Sequence, residues 1–495
     1  MNVNTIKGGT IWSLASQVVE ILTGILLLIL IARILGPENY GAYQTILAII
    51  ILSAIVSDFG ISTAVSRFIA KYINSVDNRN EYVNVGLFIK IIFTILIALI
   101  LVGLIPYIEL LFNIELGPYK YYIITIVILR SVKEFLLRSF QGARRLDVRA
   151  LVNMTYFFCF TILTVVLLLI GFNVKAILLS EIIVSLCVIL MGLYKLKIIN
   201  IKLALKYNKK VFLSVIKYSI PLFFITLSFY IYTKSDVLMI QFFIDEKAVG
   251  MYALATMIVS KVHIPLVAVG QSAAPAFSHI DEQQRANTFL KIFKVTFVLS
   301  LPISVGVFLV SDLLIVEVFG SSYVDTVSVL KLLCIFLFFY CVNSVMSPIL
   351  DYLGFAKQRS ILVGISAGTN IVLNTFFIPK FGMIGATYST IITYTLYAFI
   401  VNLSAIRVCF GSQLKFILES KSFLIRLLLS VVIMFITVRL IDDVLSIAQL
   451  PKLIILITTG IMSYIIMIIS TKTVPLTDIL TLVKGRNSFR RMEDL

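Results

Sequence analysis

Ionisable side chains recur inside stretches that are otherwise Leu, Ile, Val and Phe: Glu20, Asp58, Arg130, Lys133, Glu181, Lys234, Asp236 and Lys261. At membrane depth each such group costs at least about 2.5–3.5 kcal/mol on insertion scales, so it persists where it faces a water-filled cavity or a partner. Two chemistries fit these residue types. The cations Lys234, Lys261, Arg130 and Lys133 can hold an anion, and Lys234 and Lys261 fall on adjacent apolar stretches. The carboxylates Glu20, Asp58, Asp236 and Glu181 can serve as counter-charges, or can carry a proton or hold a sodium ion. Arg130 and Glu134 stand four apart, a spacing that predicts a salt bridge along one helix face. His263 follows Lys261 by two residues and can titrate near neutral pH, although a lone polar group among apolar neighbours more often makes a helix–helix hydrogen bond.

No catalytic constellation accompanies these charges. There is no Gly-rich phosphate loop ending in Lys-Ser/Thr, no Ser/His/Asp set and no carboxylate pair outside the apolar stretches, so the chain reads as a non-enzyme. His263 and His279 are too few and too separated to form a metal site. No catalytic or metal-ligating residue and no bound cofactor is expected, beyond the H+ or Na+ coupling the carboxylates allow. Cys159, Cys187, Cys334, Cys341 and Cys409 contain no CxxC pair and read as buried small hydrophobes.

The elements that position these residues follow from composition. Hydrophobic residues make up 60% of the 495 and charged residues 14%, with a mean hydropathy of +1.05. A soluble domain has nowhere to put so much apolar surface. Apolar stretches long enough to cross a bilayer recur along the chain, which predicts an all-α polytopic membrane protein of about 14 transmembrane helices. The spans fall near 10–35, 41–66, 85–111, 119–141, 149–171, 174–197, 214–243, 248–276, 288–317, 325–350, 358–378, 382–407, 423–441 and 451–470. An even number puts both termini on one side. On one set of loops lie about 29 basic residues against about seven on the other, which predicts a multi-pass protein with cytoplasmic N- and C-termini. That bias accounts for the formal charge of +17 through basic loops on an anionic leaflet, so nucleic acid is not an expected partner.

The chain also repeats itself. Leu35-Gly36-Pro37-Glu38-Asn39-Tyr40-Gly41-Ala42-Tyr43 is matched 209 residues on by Ile244-Asp245-Glu246-Lys247-Ala248-Val249-Gly250-Met251-Tyr252. In each, an apolar helix ends, a short acidic turn follows, and Gly-x-Tyr opens the next helix. A second match pairs the basic turn after Gly142 with the one after Gly354, 212 residues on. An offset of six spans predicts two parallel lobes, at 1–200 and 201–410, with two further helices and a basic tail at 411–495. Prolines punctuate the second lobe at Pro221, Pro265, Pro275, Pro302 and Pro348, where they bend helices. The aromatic run Phe223, Phe224, Phe229, Tyr230 and Tyr232 can stack on sugar rings or face lipid.

The segment Ile31 to Tyr43 resembles the first-hairpin signature of the polysaccharide biosynthesis transporters. These include the O-antigen-type flippases of the multidrug/oligosaccharidyl-lipid/polysaccharide exporter superfamily. Ser57-Asp58-Phe59-Gly60-Ile61 and the stretch from Asp236 to Tyr252 are similar as well, and the resemblance extends over residues 5–410 in order and spacing. It implies two six-helix lobes around a central cavity that opens alternately to either face of the cytoplasmic membrane. It also implies a polyprenyl-linked, lipid-diphosphate oligosaccharide as cargo, so that the anion held by the cations is a diphosphate. Glycosyltransferases or a polymerase of the same pathway are candidate partners. The competing reading is a small-cation or drug antiporter of the same superfamily, which calls for carboxylates that outnumber cations in the cavity. A third is a membrane scaffold recruiting glycosyltransferases, for which the short loops leave little surface.

Overall fold

Apolar length forms these helices, and glycine, proline and left-handed residues end them. The computed structural model describes residues 3–473 apart from 199–200, 202–203, 205–206, 279 and 412, so His279 and the basic tail lie outside the described residues. Helix α1 (Val3–Asp58) is a 56-residue rod broken at Gly36, whose φ of 71° is left-handed and is followed by Pro37. Glycine past a helix end and proline just inside the next start are what such a junction requires. At 1.5 Å per residue the rod is far too long for one crossing, so it holds two. It ends at Phe59 and Gly60, both at positive φ, before the amphipathic α2 (Ile61–Lys71). The sequence reading ran a single span through 41–66; the structure splits it directly after Asp58.

The chain continues through α3 (Val76–Phe112), α4 (Lys120–Gly142), α5 (Leu146–Leu169), α6 (Asn173–Ile198), α7 (Lys209–Phe243) and α8 (Glu246–Val262). Helix α9 (Ile264–Ala273) follows α8 after a 41° bend with Pro265 in its first turn. Then come α10 (Glu282–Leu313), which runs on through a π-helical turn, α11 (Thr326–Tyr352), α12 (Ala356–Phe381), α13 (Met383–Phe410), α14 (Gln413–Val444) and α15 (Gln449–Ser470). Among the described residues, eleven helices are long and apolar enough to span a membrane, or twelve with α8–α9 as one. Counting α1 as two passes, and adding α4, which is long enough but carries Arg130, Lys133, Glu134 and Arg138, gives the fourteen that apolar length predicts.

Two compact units divide the chain, Met1–Gly250 and Met251–Leu495. In the first, α1 packs on α5 and α7, α4 on α6, and α2 on α4, around a core that includes Ile61, Val65, Phe135, Phe140 and Val188. Gln241 of α7 ties three helices together: it accepts from Thr45 Oγ1 at 3.1 Å and donates to the Phe112 carbonyl at 3.2 Å. In the second unit α11 packs on α9, α10 and α13, and α14 and α15 pack on α10. Leu309, Val310, Val438, Leu453 and Leu456 form that last seam, and Tyr464 Oη donates to the Val298 carbonyl at 2.6 Å.

The two Gly-x-Tyr hairpins meet within the first unit. A Cβ placed on Gly41 would lie 1.7 Å from the Glu246 carbonyl oxygen, and one on Gly250 would lie 1.9 Å from that of Pro37. The contact is reciprocal and admits only glycine at either position.

The turn after α4 and the turn after α11 share one backbone pattern. Arg145 N–H donates to Phe140 O, as Phe355 N–H does to Leu350 O, both at 2.9 Å; Ala143 to Ser139 is matched by Leu353 to Ile349. The spacing is 210, so Arg144 at φ 58° stands where the second turn has Gly354 at φ 90°. Gly142 is therefore not the partner of Gly354, as the sequence comparison had it. Its task is packing: a Cβ there would lie 2.3 Å from the Ser66 carbonyl oxygen.

Candidate functional site

A cavity of about 430 Å³ opens within the first unit, lined from α1, α2, α3, α4, α5 and α7. At one side is Asp58, the last residue of α1. Because the chain breaks at Phe59 and Gly60, its carboxylate turns back to accept from Ser62 Oγ in the first turn of α2 and from Lys90 Nζ on α3. Lys90 is only 1% exposed, so this ion pair is almost fully withdrawn from solvent on its cationic side. Phe59 stacks on Phe223 of α7 with ring centroids 4.6 Å apart, which makes an aromatic wall beside it.

On the other side Arg130 and Lys133, nearly one turn apart on α4, converge on Glu181 of α6. Arg130 Nε and Lys133 Nζ both donate to Glu181 Oε1, at 3.0 and 3.3 Å. Tyr156 Oη on α5 donates to the other oxygen, Oε2. Lys133 Nζ also sits 3.5 Å from the centre of the Tyr156 ring, a cation–π contact. Glu181 is 4% exposed. Tyr43 of the first hairpin has Arg130 and Glu181 as electrostatic neighbours. The terminal nitrogens of Arg130 carry no hydrogen bond among the described residues, so they remain available as donors.

Further along α4, Glu134 accepts from Arg138 Nε at 2.6 Å. The expected Arg130–Glu134 bridge does not form. A carboxylate one turn N-terminal to a cation is the favourable order on a helix, and Arg130 has the buried Glu181 instead. Arg138 and Arg149 both donate to Gln141 Oε1, at 3.2 and 3.1 Å, and Glu20 acts electrostatically on Arg149 at the end of this string. Glu20 itself lies on the exposed face of α1.

The remaining sequence candidates are placed elsewhere. Lys234 is half-buried on α7, does not line this cavity, and makes no hydrogen bond or ion pair among the described residues. Asp236 is buried on the same helix. Lys261 belongs to the second unit, half-buried where α8 ends. His263 sits at the bend, with Nδ1 2.8 Å from its own helix's Ser260 carbonyl rather than bonded to another helix. The aromatic run divides: Phe223 and Tyr230 are buried, while Phe224 and Phe229 are exposed. Cys159 and Cys187 are exposed, unlike the buried Cys334, Cys341 and Cys409. On a membrane protein an outward apolar thiol meets lipid, so exposure there is compatible with hydrophobic character.

Sequence reasoning missed Lys90 and Tyr156. A lysine five residues into the apolar run that starts at 85 was a legible sign of a buried cation. Nothing local distinguishes Tyr156 from its aromatic neighbours; only the packing of α5 on α6 gives it a carboxylate. Taken together, the cavity lining and the ion pairs that reach it hold four cations, Lys90, Arg130, Lys133 and Arg138, against three carboxylates, Asp58, Glu134 and Glu181. A water-accessible chamber with one excess positive charge, walled by aromatic rings, can hold an anion attached to an apolar or sugar-bearing group.

The chain is similar to known proteins in sequence and in fold. The family model described as "Polysaccharide biosynthesis protein" matches residues 6–281. A curated relative, the "Probable low-salt glycan biosynthesis flippase Agl15" of Haloferax volcanii, is 23% identical over 372 residues, covering 74% of this chain and 76% of that protein. Among solved structures, the lipid II flippase MurJ in an inward closed conformation superposes with a TM-score of 0.73 at 17% identity, covering 93% of this chain and 97% of that one. An inward-facing multidrug resistance MATE family transporter of the MOP superfamily gives 0.63 at 16% identity, covering 78% and 94%. These last two likenesses are likenesses of fold.

Proposed function

This chain belongs to the polysaccharide biosynthesis protein family, and from that premise we propose that it is a flippase carrying a lipid-diphosphate-linked oligosaccharide across the cytoplasmic membrane by alternating access. The observation that carries the reading is the convergence of Arg130 and Lys133 on one carboxylate at a cavity with an excess of positive charge. A diphosphate must cross about 30 Å of hydrocarbon, and charge-assisted donors in a wet chamber lower that barrier. Arg130 offers its terminal nitrogens to the phosphates, Lys133 adds a point charge, and the Phe59–Phe223 wall meets the sugar. The prenyl chain stays in lipid. With the basic loops inside, both termini are cytoplasmic and transport runs outward. The excess of cations over carboxylates disfavours a small-cation antiporter.

The test is transport of a fluorescent prenyl-diphosphate sugar in proteoliposomes. Wild-type protein should move the sugar across the bilayer, and an Arg130→Ala/Lys133→Ala/Glu181→Gln variant, which leaves no stranded carboxylate, should insert normally and move none. Unimpaired transport by that variant would remove the cavity from the mechanism.

A further inference from the structure

The charges around the cavity do not balance its proposed occupant. Four cations and three carboxylates leave one positive charge. A diphosphate diester brings two negative ones, so the loaded site would hold one uncompensated negative charge inside the membrane. Isolated charge in such surroundings is strongly disfavoured and is relieved by neutralisation.

The position of that neutralisation follows from who shares whom. Asp58 keeps Lys90 and Ser62, and Glu134 keeps Arg138, with both side chains a third or more exposed. Glu181 is different. Both its cations, Arg130 and Lys133, border the cavity and are the donors the phosphates would take. Helices α4, α5 and α1 pack on α6: α4 supplies Arg130 and Lys133, α5 supplies Tyr156, and α1 supplies Tyr43. No third cation faces Glu181 among the described residues. When Lys133 and the terminal nitrogens of Arg130 turn to the diphosphate, Glu181 keeps only the Arg130 Nε of a guanidinium it then shares with the phosphates, beside the neutral hydroxyls Tyr156 Oη and Ser185 Oγ, the latter at 3.5 Å.

We propose that Glu181 takes up one proton from water as the diphosphate engages Arg130 and Lys133, so that cargo and proton occupy the site together. The inference rests on the flippase reading above. The proton bonds to a carboxylate oxygen of Glu181, giving a carboxylic acid that donates within the Tyr156–Ser185 pocket. The sum of site, diphosphate and proton is then zero, so the loaded site holds no uncompensated charge, while diphosphate and proton together carry one negative charge across. On release the cations return to Glu181 and the proton leaves with the cargo. Tyr156 positions the carboxyl through both states.

The experiment is calorimetric titration of the full-length protein in detergent micelles with farnesyl-diphospho-N-acetylglucosamine, a diester that has no proton to exchange near neutral pH. Buffers of different ionisation enthalpy report proton exchange directly. Wild-type protein should take up about one proton per ligand bound, and an infrared difference spectrum should gain a protonated carboxyl band. Glu181→Gln should bind at least as tightly with uptake near zero and no such band. Binding by the wild type with no proton uptake, or uptake that persists in Glu181→Gln, overturns the proposal. So does binding that requires sodium in place of choline and moves no proton. Failure of the wild type to bind the diester would instead overturn the flippase reading on which this rests. If Glu181→Gln does not fold, Glu181→Asp takes its place: the protonated carboxyl band should shift in frequency, and an unshifted band overturns the proposal.

Discussion

The same position in the two halves of the chain holds opposite kinds of polar network. The shared turns set the register at 210 between α4 and α11, so Arg130 and Lys133 correspond to Tyr340 and Asn343. The 209-residue offset of the two Gly-x-Tyr hairpins, carried on to α6 and α13, pairs Ser180 with Ser389, each bonded to the carbonyl four residues back, and Glu181 with Thr390. The hairpin tyrosines follow suit. Tyr43 lies by Glu181, and Tyr252 Oη lies 3.4 Å from Thr390 Oγ1. In the second unit Asn343 donates to Tyr394 Oη at 3.0 Å, and Asn374 to Asn370 Oδ1 at 3.1 Å. One scaffold therefore carries an ionic cluster once and an amide–hydroxyl cluster once. A neutral network can be buried with hydrogen bonds alone, whereas an ionic one must also be balanced in charge. The ionic cluster stands in the first unit and the neutral one in the second.

Four measurements would break or sharpen that contrast. The largest effect is expected at the cations. Arg130→Ala/Lys133→Ala removes two charge-assisted contacts and should weaken prenyl-diphosphate binding by about 3–6 kcal/mol, a hundredfold or more. The matched pair Tyr340→Phe/Asn343→Ala should cost less than about tenfold, and equal losses in a binding assay would erase the distinction. Next, Lys90→Ala strands Asp58 and should lower stability by about 3–5 kcal/mol in detergent unfolding. The corresponding loss at the half-exposed Asp351–Arg359 pair, through Arg359→Ala, should stay under about 1 kcal/mol. Third, Tyr156→Phe removes a hydrogen bond to a charged oxygen, worth about 1.5–3 kcal/mol, against about 0.5–1.5 kcal/mol for Tyr252→Phe in the neutral cluster. Smallest is Gly354→Ala. Its Cβ meets nothing within 4 Å, so the expected loss of about 1–2 kcal/mol in unfolding free energy is purely that of a left-handed backbone.

The amount of this legible in the sequence differs from residue to residue. Membrane passes were readable because apolar length is a local property, and even the rod of α1 shows its two passes through Gly36-Pro37. Arg130, Lys133 and Glu181 stood out singly as charges among apolar neighbours, but their union did not. Glu134 was the nearest carboxylate by spacing, and Glu181 lies 51 residues from Arg130, a distance only the packing of α4 on α6 closes. Lys234 and Lys261 carried the same local signal as Arg130, and burial alone did not reveal which would border the cavity. The break after Asp58 was hidden because Phe59, which adopts φ 46°, is a residue type that rarely does so. Gly142 misled the alignment by two residues because a glycine kept for close packing looks, in sequence, like one kept for a turn.

The crossing of Gly41 with Gly250 has a mechanical consequence. Each hairpin's carbonyl occupies the volume a methyl group would need on the other, so the two chains meet backbone to backbone with no side chain between them. Alanine at either glycine has nothing flexible to displace and must part the two hairpins to fit.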